Sequence, residues 1–166
     1  MGRALGLAAL QLPGARRSVL ATAARLGAPC TVHVALGTDT VHMHPGLDWA
    51  ALGRACEIDF RIAAAVVAGL EGGVWANVGS AVVMPEVFLK LVSIARNLGH
   101  TLEHVLAANL DMIQHYRTRA NVIGRPVGEG LEVLGHHEIN LPLLRFAVLT
   151  ELAGGGERAA AAAAGP

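Results

Sequence analysis

The stretch VWANVGSAVVMPEVFLKLVSIARNLGHTLEHVLAAN, residues 74–109, decides the fold. Its opening, Val74-Trp-Ala-Asn-Val78, reads as a buried strand. Gly79-Ser80 turns the chain, and Pro85 sits just inside the start of a helix that runs to about Leu98. Val87, Phe88, Leu91, Ile94, Ala95 and Leu98 recur at helical spacing and give that helix one apolar face. Gly99 is a fitting stop. A further strand follows at Val105 to Asn109. Strand, helix and strand in this order predict a parallel pair joined by a helical crossover.

The alternation continues in both directions. Upstream, Ser18 caps a helix through Leu26, Pro29 breaks the chain, and the β-branched run Cys30 to Leu36 reads as a strand. Asp48 caps a short helix to Arg54, and Asp59 opens a longer one through Leu70. Downstream, weaker strands are expected at Asn121 to Ile123 and Leu131 to Leu134. Asn140 then caps a last helix, with Pro142 in its first turn, through about Leu152. The expected fold over residues 1–152 is α/β: a mostly parallel, Rossmann-like sheet with helices on both faces. The chain opens on a helix rather than a strand, so the sheet is expected to be incomplete. Residues 153–166 are a Gly- and Ala-rich, low-complexity tail that is expected to be disordered.

Composition narrows the function classes. Of the 166 residues, 53% are hydrophobic and 16% charged, which sets the chain apart from disordered sequences. Lys plus Arg balances Asp plus Glu at 13 each, so no basic surplus points to nucleic acid. The two cysteines, Cys30 and Cys56, lie in apolar surroundings and suit a reducing compartment. No apolar run reaches the roughly 18–20 residues that span a bilayer. The N-terminus loosely imitates a signal peptide, but Pro13 to Arg17 follow without a small-residue cleavage site. A cytoplasmic protein that binds neither membrane nor nucleic acid is expected, with a small molecule as its ligand. The unpaired edge of a half-sheet predicts a homo-oligomer.

Three strand-like runs end in ionisable residues. Cys30 to Leu36 leads to Asp39, His42 and His44; Val105 to Asn109 leads to Asp111, His115 and Arg117; Leu131 to Leu134 leads to His136, His137 and Glu138. Ligands of open α/β sheets lie at the carboxyl ends of the strands. The His42-Met-His44 pair together with His136-His137-Glu138 offers ligands that suit zinc or iron, and a catalytic metal needs three of them. If Val41 to His44 were extended, the two imidazoles would share a side. Polar loop residues that bind no metal are the competing reading. Asp39 serves either as a turn residue bonded to its own backbone or as a strand-end carboxylate. Asn77 to Ala81 presents amides at a helix N-terminus, suited to an anion. Glu86 complements the dipole of that helix and pairs at i,i+4 with Lys90, the one lysine of the chain. Arg117 offers a fork of donors to a carboxylate or phosphate. His33, inside a strand, reads as a satisfied core histidine.

Three segments carry a family resemblance: Thr31-Val-His-Val-Ala-Leu-Gly-Thr-Asp-Thr-Val-His-Met-His-Pro45, Asn77-Val-Gly-Ser-Ala-Val-Val-Met-Pro-Glu-Val-Phe-Leu-Lys90 and Gly135-His-His-Glu-Ile139. They resemble a group of bacterial proteins without assigned activity that is itself similar to deoxyhypusine synthase and its NAD-binding fold. The resemblance spans roughly Arg3 to Leu152 and corresponds to the C-terminal half of that fold. It implies NAD as cofactor. Asp39 falls where the synthase family has an aspartate near the nicotinamide, and His44 near an acidic position that reads the polyamine. Gly79-Ser80 and Glu86 fall where the family has a glycine-rich turn and a histidine beside the substrate. The family's reactive lysine, in a Trp-Gly-Lys stretch before the last strand, has no counterpart, since no lysine follows Lys90. The earlier half of the family's sheet, which holds much of the dinucleotide, is also missing.

The combined expectation is a small-molecule enzyme or enzyme subunit with a synthase-like NAD site and no synthase lysine. Its expected catalytic residues are His44, Glu86, His137 and Glu138. Asp39, Asn77, Gly79 and Ser80 are expected at the cofactor, and His42, Asp111, His115, Arg117 and His136 at the substrate. One alternative is a metal-dependent hydrolase or lyase built on the histidine clusters. Another is a non-catalytic domain for ligand binding or assembly.

Overall fold

The structure, a computed structural model, describes the backbone of residues 1–163 and the side chains of residues 1–154. Helices α1 (Gly2–Ala9) and α2 (Val19–Leu26) form a hairpin, and α3 (Trp49–Ala68) follows. Then come β1 (Val74–Val78), α4 (Val83–Asn97) and β2 (Leu106–Asp111). A short helix α5 (Tyr116–Thr118) runs into a π-helical turn over Arg119–Gly124, and β3 (Glu129–Leu134) and α6 (His137–Ala163) complete the order.

The fold is α/β. Its sheet has three strands in the order β1-β2-β3, all parallel, with Asn77 opposite Asn109 and Asn109 opposite Glu132. Both crossovers lie on one face, where α4 meets the π-helical turn and α3 packs outside α4. The core sits between these helices and the sheet: Val67, Phe88, Leu91, Val92, Ala95, Ala107 and Val122 are all buried. Trp75 of β1 stacks on Phe88 of α4 at 4.2 Å. The sheet is open and incomplete. On its second face, by strand alternation, Val74, Val78 and Leu131 remain exposed.

Four local expectations are corrected. The Cys30 to Leu36 run belongs to no strand, and Leu36 is already in a turn. It lies along α3, where the buried carboxylate of Asp59 accepts hydrogen bonds from the amides of Val32 and Gly2, both at 2.8 Å, and from the Met1 amine at 2.7 Å. The amide that a ladder would have used is bonded to a side chain instead. The helices expected at Asp48 to Arg54 and from Asp59 are one continuous helix, capped by Asp48, whose carboxylate accepts from Ala51. Asp59 is therefore mid-helix, and its cap-like identity serves the tether to Gly2 and Val32. Asn121 to Ile123 is the π-helical turn, because this segment belongs to the β2-to-β3 crossover and β3 already occupies the place beside β2. The last helix starts at His137 rather than after Asn140, and the His136 carbonyl accepts the Ile139 and Asn140 amides. It continues to Ala163, so residues 164–166 of the expected tail are the part outside the described residues.

The caps at Ser18 and Asp48 and the left-handed stop at Gly99 are found as expected. No helix among the described residues is long and apolar enough to cross a membrane.

Candidate functional site at the strand ends

Parallel strands deliver their last residues to one edge of a sheet, and here that edge is built from amides. Asn77 and Asn109 occupy matching positions in β1 and β2 and are both buried. The Asn77 side-chain nitrogen donates to Asn109 Oδ1 at 2.6 Å and to the Ser80 carbonyl at 2.9 Å. Asn109 donates onward to Gln114 Oε1, and Gln114 donates back to the carbonyls of Asn109 and Asp111. Both neighbours of the Asn77 nitrogen are acceptors, so its orientation is fixed and its oxygen faces elsewhere. That oxygen is buried without a partner. Buried amide oxygens are almost always bonded, so an unsatisfied one marks a point where a donor fits.

The Gly79-Ser80 turn lies directly beyond Asn77. Gly79 holds a left-handed conformation, φ +66°, and its amide donates to the Leu110 carbonyl at 3.2 Å. A Cβ at this position would stand 3.0 Å from His137 Nε2. Backbone and imidazole thus approach as closely as a glycine permits. Ser80 Oγ, two residues ahead of the N-cap Val82, accepts from the Met84 amide at 3.1 Å and satisfies a donor in the first turn of α4. His137 opens α6, and its Nδ1 is buried and unpartnered. Asn140, one turn on, packs its amide against Gly135, and its Nδ2 is also unpartnered. Three polar atoms without partners, on Asn77, His137 and Asn140, therefore come from the end of β1 and the root of α6.

Of the other residues expected near this edge, Asp111, Glu86 and Arg117 have local partners. Asp111 Oδ1 accepts from the Met112 amide at 2.7 Å and forms a turn. Glu86 accepts from Arg117 at 3.0 Å and from Asn121 at 2.9 Å, which ties α4 to the second crossover. Its i,i+4 neighbour Lys90 is exposed. His115 and Arg117, with Ala81, Val82 and Tyr116, line a shallow cleft of about 410 Å³ beside the turn. His136 and Glu138 point to solvent.

Asp39, His42 and His44 form a separate group. Thr40–Met43 winds into a 3-10 turn rather than extending, so His42 is buried and His44 is exposed. His42 Nδ1 accepts from the amides of Gly37 and Asp39, both at 3.1 Å. Accepting at Nδ1 leaves the ring proton on Nε2. The ring packs beside Trp49 at 5.6 Å. His44 Nδ1 accepts from Gly46. No hydrogen bond found for this turn among the described residues reaches the strand-end amides. No group of three His, Cys, Asp or Glu side chains among the described residues has metal-holding geometry. His33 is half-buried and bonded to Thr31 at 2.9 Å; burial holds its pKa below the ordinary histidine value, against a smaller opposing pull from Asp59.

Sequence reasoning missed Asn109, Gln114 and Asn140. A signal for the first was present: Ala-Asn recurs within two apolar strand runs, at Ala76-Asn77 and Ala108-Asn109, and asparagine is depleted in strands. No protein-family model, curated protein or solved structure matches the chain.

Proposed function

We propose that this chain is a small-molecule enzyme, or a subunit of one, whose ligand lies at the carboxyl edge of the sheet over Asn77, Gly79, Ser80 and His137. The observation that carries the reading is the fixed Asn77 amide with its unpartnered buried oxygen, next to a glycine turn and a free imidazole nitrogen. An amide oxygen held this way accepts from a ligand N–H, as a carboxamide supplies. With the Gly79 amide bonded to Leu110 and the Met84 amide to Ser80, the remaining amides of the turn would meet a ligand phosphate. His137 Nδ1 is placed to take or give a proton. NAD, in the manner of the deoxyhypusine-synthase-like proteins, combines these groups, and the absence of a matching lysine separates the proposed reaction from deoxyhypusine synthesis.

Calorimetric titration with NAD tests this. Weak binding is expected, because few phosphate-holding turns are present. At ten times the dissociation constant the chain gains only about 1.4 kcal/mol of stability. Asn77→Leu and Gly79→Val should each abolish the binding heat. Tight binding that both variants retain would put the site elsewhere. A second reading, a non-catalytic assembly domain, draws on the exposed apolar second face of the sheet. Under it, neither NAD nor its fragments produce heat.

A further inference from the structure

We propose that the open face of the sheet is covered by helix α6 of a second copy of this chain, each copy lending its helix to the other. The inference stands independently of the ligand proposed above.

Between Ile139 and Leu152, helix α6 carries large apolar residues on two opposite sides, interrupted by Asn140, Arg145, Thr150 and Glu151. Leu141, Leu144, Val148 and Leu152 fall on one stripe, and Ile139, Leu143 and Phe146 fall on the opposite one. A helix of this kind is one that an assembly encloses. Its own chain encloses neither stripe: Phe146 is 70% exposed, Leu152 69% and Leu143 60%. Only Gly135 and His136 separate it from β3. Its root is fixed by His137 against Gly79 and by Asn140 against Gly135. The sheet carries the matching surface, where Val74 is 60% exposed and Leu131 52%.

The chain thus has an apolar helix with neither stripe enclosed, and a sheet face that is buried along β2, at Ala108 and Leu110 where the root of α6 meets that strand, but open at Val74 and Val78 of β1 and at Leu131 of β3. A two-fold axis satisfies both at once, as closed symmetric dimers do. The residues concerned, Leu141, Leu144, Val148, Leu149 and Leu152 on α6 with Val74, Val78 and Leu131 on the sheet, expose between 40% and 69% of their surface. Together they offer on the order of 700 Å² per copy, close to the roughly 800 Å² per partner of a stable interface. A docked α6 also fixes the direction of its first turn, and with it His137.

The full chain should sediment as a dimer. Val148→Asp on the helix and Leu131→Asp on the sheet should each weaken the dimer by about 30-fold or more while the far-ultraviolet spectrum stays native. A photoreactive benzoyl-phenylalanine at Leu152, in dimers mixed from 14N- and 15N-labelled chains, gives a readout that does not depend on a disruptive charge. Heavy-to-light cross-links into residues 74–78 or 129–134 are expected. A monomer at all concentrations, a dimer that survives either substitution, or cross-links confined to one copy or running only from helix to helix would overturn the exchange.

Discussion

Asp59 shows how one side chain can redirect a whole segment. It accepts three hydrogen bonds where α3 faces the N-terminal hairpin. Burial works to raise its pKa, but the bonds from the Met1 amine and the Gly2 and Val32 amides outweigh burial and hold it below the ordinary carboxylate value. A depressed folded-state pKa contributes stability that is fully present above the unfolded value of about 3.9. That contribution is lost as the pH falls through the lower folded value. Asp59→Asn should therefore cost about 2–3 kcal/mol in urea unfolding at pH 7 and much less near pH 2. An equal cost at both pH values would show that the carboxylate charge is not what holds the hairpin. Lys90 supports a second residue-scale prediction. It is exposed on α4, outside the shielded pocket that an imine-forming lysine needs, so no imine is expected there. Incubation with NAD and spermidine followed by borohydride should leave the intact mass unchanged. An adduct at Lys90 that vanishes in Lys90→Arg would restore a synthase-type mechanism. At this scale the sequence was legible where a residue type has a single use, as at the Ser18 and Asp48 caps. It was misleading at Asp59, whose type suits both a cap and a buried tether.

Elements were legible where periodicity and capping agreed. The 74–109 stretch has the expected element boundaries within a residue or two, because its apolar spacing, its turn and its Gly99 stop all favour the same units, but β1, read as a buried strand, is an edge strand in which only Asn77 is buried. The β-branched segments 30–36 and 121–123 read as strands for their composition, yet a strand also needs a free neighbour, and that depends on the tertiary arrangement. The crossover shows the constraint in its packing. Gly130 of β3 lies directly under Ile123, and a Cβ there would come 2.2 Å from Ile123 Cγ2. Gly130→Ala should destabilise the chain by about 1–3 kcal/mol, with Ile123→Ala in the same chain recovering part of the loss. Strict additivity of the two substitutions would place the clash elsewhere. Gly79 makes a related point at the site. Gly79→Ala forces a side chain into the left-handed region and against His137, and it should weaken NAD more than it weakens the fold. Comparison of the calorimetric and urea-unfolding losses checks this.

For the molecule as a whole, the parallel order of β1, β2 and β3 brings together what the chain keeps apart. Asn77, Asn109 and His137 span sixty residues of sequence and meet at one edge. The expected grouping took in His137 from strand-end logic, and Asn77, Gly79 and Ser80 from the turn at a helix N-terminus and the family resemblance. It missed the amide relay because Asn109 and Gln114 look like ordinary polar residues until the register is known. It also placed Asp39, His42 and His44 with them, whereas that turn is bonded to its own backbone through both imidazoles. The account therefore depends on the strand ends, and amide-resolved NMR titration tests it most directly. With NAD added to 15N-labelled protein, the largest shifts should fall on the side-chain amides of Asn77 and Asn109, the backbone of Gly79 and Ser80, and the His137 ring. Shifts confined to residues 37–46, or none at millimolar NAD, would contradict it.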